Sequence, residues 1–74
     1  MTIWQLMYLC WDYEWVCVED TNDEPLCEPE EAAYLVKNHP ELGNRYVVTF
    51  FIGNRFVKSL KKSIPVLVFA VTVE

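Results

Sequence analysis

Two glycines among 74 residues leave no glycine-rich loop, and the phosphate cradles of nucleotide-driven enzymes are excluded with it. Basic residues are scarce as well. Six Lys and Arg stand against eleven Asp and Glu, a net charge of −5, whereas non-specific attraction to a phosphate backbone or an anionic lipid surface needs the opposite sign. No uncharged run is longer than the 11 residues of Ser63 to Val73, about half of the ~20 that a membrane-crossing helix requires, so no membrane segment is expected. The opening nine residues are apolar but have neither a basic start nor a small-residue cleavage site, which predicts no secretory signal and a cytoplasmic location. Cys10, Cys17 and Cys27 form no CxxC pair, and an odd count suits free thiols in a reducing compartment better than a disulfide framework.

What is present is apolar and aromatic: 53% hydrophobic residues, 15% of the chain Phe, Trp or Tyr. That composition excludes disorder and low complexity, and the length fits a single domain over residues 1–74. Such a chain buries only about 60% of its unfolded surface, so its core is small.

Residues 2–9 and 13–19 are rich in β-branched and aromatic side chains and read as a β-hairpin broken near Asp12. Residues 20–28 are polar and contain Pro25, which takes the chain off the sheet. Pro29, then Glu30 and Glu31 at the positive end of a helix dipole, open one short helix over residues 29–38, ended by His39-Pro40. Residues 45–52 and 55–60 flank Gly53-Asn54 as a second hairpin, and residues 64–73 supply a last strand with Pro65 near its start. The expected fold is a small α+β domain: a mostly antiparallel sheet of four to five strands and one short helix, in the order ββαβββ.

Several of these strands are apolar on both faces. One ten-residue helix covers one face of a sheet at most, so the other face must curl on itself, meet a partner or pack against a second copy. A homodimer is expected, with Trp4, Leu6 and Tyr8 of the first segment at its seam, because the last segment better suits a central position.

Charge is unevenly divided. Residues 1–43 hold ten acids and one base, net −9, and residues 44–74 hold five bases and one acid, net +4. The acidic stretch Glu19, Asp20, Asp23, Glu24, Glu28, Glu30 and Glu31 would suit a basic surface on a larger protein. Arg45, Arg55, Lys58, Lys61 and Lys62, interleaved with aromatics, offer an alternative platform for single-stranded nucleic acid, although lysines beside a sheet edge also serve to block aggregation. Opposite charges can also simply pair within the domain.

Motifs for chemistry are sparse. Asp20 to Glu31 places oxygen side chains at positions 1, 3, 5, 9 and 12 of a calcium-loop frame, but Pro25 occupies the position that needs glycine. The cysteines and His39 are spaced too widely for a zinc motif. Cys27 and His39 could form a thiol-enzyme pair across the helix, but no orienting third residue or oxyanion hole accompanies them. The residues point to a non-enzymatic interaction protein without cofactor or metal, an inhibitor or accessory factor of the kind mobile elements encode.

Overall fold

Thr2 begins a helix, not a strand. In the computed structural model, which describes residues 1–12, 14–57 and 64–74, helix α1 spans Ile3–Leu9 and opens with a capping box. The Thr2 hydroxyl accepts from the Gln5 N–H at 3.3 Å, and the Gln5 side-chain oxygen accepts from the Thr2 N–H at 2.8 Å, so two donors the helix cannot satisfy itself find partners. Ile3, Leu6 and Met7 lie at the spacing of one helix face and are buried. Trp4 and Tyr8 point outward. The expected strand over residues 2–9, and the first hairpin with it, give way to this helix: capping and period outweigh β-branched and aromatic composition.

The remaining elements are β1 (Trp15–Glu19), β2 (Glu30–Glu31), α2 (Ala32–Asn38), a 3₁₀ turn at Pro40–Leu42, β3 (Val47–Arg55) and β4 (Val66–Val73). Together they form a small α+β domain with a mixed sheet in the order β2-β1-β4-β3. The β1–β2 and β3–β4 pairings are antiparallel, while β1 and β4 run parallel, with Val16 beside Phe69 and Glu19 beside Thr72. The last strand is central, and its two apolar faces follow from that. Val71 and Val73 join Ile3, Leu6, Leu35, Val16 and Val18 beneath the two helices, while Val68 packs on the far face against Cys17 and Val57.

Helix α2 begins three residues later than Pro29 suggests, because Glu30 and Glu31 are drawn into the sheet opposite Val16 and Trp15. Its first N–H groups are met by main-chain carbonyls of the α1–β1 connection: Ala32 donates to Glu14 at 2.8 Å and Ala33 to Asp12 at 3.0 Å. Gly53-Asn54, expected as a hairpin loop, lies inside β3. Gly53 does not adopt positive φ; a Cβ at this position would stand 2.9 Å from the Phe51 ring and 3.1 Å from the Arg55 guanidinium. The glycine makes room for side chains of its own strand, not for a turn. Of the expected strand over residues 55–60, Arg55 closes β3, Phe56 and Val57 leave the sheet, and the rest lies outside the described residues. No helix of the described residues is long and apolar enough to cross a membrane.

Candidate functional site

The acidic stretch occupies the β1–β2 side of the sheet, the edge opposite β3, and its members do different work. Glu19 faces inward: its carboxylate, 8% exposed, accepts from Arg55 Nε at 2.9 Å and Nη2 at 3.1 Å. This two-point grip holds Arg55 above its usual pKa. Asp20 shapes its own loop, its Oδ1 accepting from the N–H groups of Asn22 at 2.8 Å and Glu24 at 3.0 Å. Asp23 takes the left-handed conformation, with φ of 62°. Asp23 and Glu24 are left exposed and make no ion pair among the described residues. Glu30 accepts from Asn38 Nδ2 at 3.0 Å and lies 3.6 Å from His39 Nε2. Glu41 lies 3.7 Å from the other ring nitrogen. Glu28 is exposed and Glu31 half-buried in β2.

The two described members of the basic set are less open than the sequence suggests. Arg55 is committed to Glu19, and Arg45 Nε donates to the Glu74 carbonyl at 2.6 Å. Lys58, Lys61 and Lys62 lie outside the described residues.

A hollow of about 610 Å³ opens between the far face of the sheet and the β1–β2 loop, lined by Cys17, Cys27, Arg55 and Phe56 among others. Both thiols are held protonated. Burial, then the charge of Glu19, pushes Cys17 up to about 11, and burial, then Glu30, Glu41 and Glu28, does the same to Cys27. Burial and Glu14 raise Cys10 too. An activated thiolate needs a cationic neighbour, but Cys27 is ringed by carboxylates and His39 stands between Glu30 and Glu41. All three cysteines are free, and the described residues group no three His, Cys, Asp or Glu side chains as a metal site would.

The thiol shifts have a measurable consequence. A group whose folded pKa lies above its unfolded value adds stability that is complete below the unfolded pKa and disappears as pH rises through the folded one. The urea midpoint should therefore fall between pH 9 and about 11, the span from the ordinary thiol value to that of Cys17 and Cys27. The Cys17→Ala/Cys27→Ala double variant should show a shallower fall over the same range. Equal slopes for the two proteins would contradict the protonated-thiol assignment.

Trp4, Leu6 and Tyr8 do not share a surface. Leu6 is in the core, Tyr8 is exposed, and the Trp4 indole rests on Gly43, where a Cβ would overlap its ring. The expected seam rested on strand alternation; helix α1 turns Leu6 out of it and leaves Trp4 and Tyr8 exposed one turn apart. An apolar groove of about 420 Å³ lies elsewhere, between the end of α1 and the outer strand β3. Leu9, Trp11, Phe50 and Ile52 form its exposed walls, with Leu6 and Phe69 beneath, and Phe50 stacks on Phe69 at 5.1 Å between ring centroids. The sequence holds one signal for it: residues 47–52, Thr49 apart, put apolar side chains on both faces of β3. No family model, curated protein or solved structure matches the chain.

Proposed function

We propose that this is a non-enzymatic protein-interaction module that presents the acidic β1–β2 edge to a basic surface on a larger protein. The observation that carries the reading is the fate of the charges. The two described arginines are bound within the chain, to Glu19 and to the Glu74 carbonyl, while Asp23 and Glu24 stay exposed and unpaired among the described residues. A fixed loop of one sign steers a partner of the other, raising the association rate more than the affinity.

The test is a pull-down from lysate with and without nuclease, followed by association kinetics on whatever protein survives nuclease. Asp23→Asn with Glu24→Lys is the suitable variant. Asn tolerates left-handed φ at position 23, and Asp20, which holds the loop's shape, is left alone. The on-rate should fall and lose much of its salt dependence while the unfolding midpoint stays put, since exposed loop charges contribute little to stability. A capture that nuclease abolishes, or an on-rate indifferent to the substitutions at low salt, would defeat the reading.

A further inference from the structure

We infer that the outer edge of β3 is the seam of a homodimer, in which two copies join antiparallel into one eight-stranded sheet and close each other's apolar groove. The inference is independent of the acidic edge, which lies on the opposite side of the sheet.

β3 is nine residues long; its first residue, Val47, donates to the Met1 carbonyl at 2.8 Å, and from Thr49 on, among the described residues, its one partner strand is β4. Natural edges are guarded by charge, proline, short length or a bulge. β3 has no Lys, Asp, Glu or Pro, and its one charged residue, Arg55, is engaged by Glu19. Its single irregularity falls between Val47 and Thr49, so the run from Thr49 to Arg55 is a regular, unguarded template. Exposed apolar side chains project from both faces of that run: Phe50 and Ile52 on the helix side, beside Val71 and Phe69, and Phe51 on the other, beside Ala70.

Symmetry then selects a second copy. Two antiparallel strands related by a two-fold axis perpendicular to the sheet pair residues that share a face. Centred on the regular run, at Ile52, the axis sets Ile52 beside its own copy with Phe50 on the diagonal, and places Phe51 opposite Gly53, Phe50 opposite Asn54 and Arg55 opposite Thr49, so no like charges meet. It also leaves both helical layers on one side of the sheet, where the groove walls Leu9 and Trp11 of each copy flank the Phe50 and Ile52 rows of both. The areas agree. Leu9 is 73% exposed, Trp11 84%, Ile52 58% and each phenylalanine 48%, which amounts to roughly 500 Å² of apolar side chain per copy. The strand backbone brings this towards the roughly 800 Å² per partner of a stable interface.

Sedimentation equilibrium of the full chain at micromolar concentration should give a mass near twice 8.7 kDa. Ile52→Lys, an exposed site whose lysines would face each other across the axis, should return the protein to 8.7 kDa with its far-UV circular dichroism unchanged. Trp11→Ser, away from the strand, should weaken the dimer about tenfold or more as an aromatic anchor at a seam does, and Asp23→Asn with Glu24→Lys should leave the mass as it was. A wild-type monomer throughout the micromolar range, or a dimer untouched by Ile52→Lys, would overturn the inference and leave the acidic-edge reading standing.

Discussion

Replacing Arg55 with Met should cost about 3 kcal/mol of folding stability, the lower end of what removing one partner of a buried ion pair costs. The lower end applies because Arg55 is a third exposed, although Glu19 is not. The loss comes from Glu19: without the guanidinium its buried carboxylate is left without two hydrogen bonds at 2.9 and 3.1 Å and without a partner of opposite charge. Adding Glu19→Gln to Arg55→Met should recover much of the loss, because the stranded charge goes with it. Urea unfolding of the two single variants and the double variant closes the cycle. Additive losses, with no recovery in the double variant, would show that the pair does not act as a unit.

Leu35→Ala should be as damaging, again by about 3 kcal/mol, within the range for truncating a fully buried leucine. Leu35 is 0% exposed and sits where α2 meets both α1 and the sheet, so the cavity has little freedom to collapse. A domain of this length has a total stability on the order of 4–11 kcal/mol, so the variant should keep only about 1–8 kcal/mol and unfold at a clearly lower urea midpoint. Tyr34→Ala, its exposed neighbour on the same helix, is the control and should unfold close to wild type. Matching midpoints for Leu35→Ala and Tyr34→Ala would place the core elsewhere.

Local signals made much of this fold legible. The Pro29-Glu30-Glu31 start and the Pro40 stop bracketed α2, and apolar runs marked β1, β3 and the two-faced central strand β4. The helix at the start of the chain was written there too, in Thr2 and Gln5 three residues apart and in the spacing of Ile3, Leu6 and Met7. Competing β-branched and aromatic composition concealed it. Gly53-Asn54 misled for another reason: a glycine within a strand and a glycine in a turn look alike until the neighbouring Phe51 and Arg55 side chains are placed. The acidic stretch was legible as charge, but its division of labour was not. The partner of Glu19 is 36 positions away, and the role of Asp20 depends on how its own loop closes. The apolar groove was the least accessible feature, being assembled from the end of one helix and the middle of a distant strand.

The position of β4 determines when this chain can fold. β1 and β3 do not pair in the sheet; both lean on β4, and Phe69 pairs with Val16 across 53 positions of sequence. A nascent chain lacking residues 66–73 therefore has two outer layers and nothing between them, and its buried β1 face and both sides of β3 remain open to other chains. Closing so long a loop is slow compared with forming helices or neighbouring hairpins. Folding must wait for residues 66–73 to leave the ribosome, and the interval before they do is when aggregation threatens most.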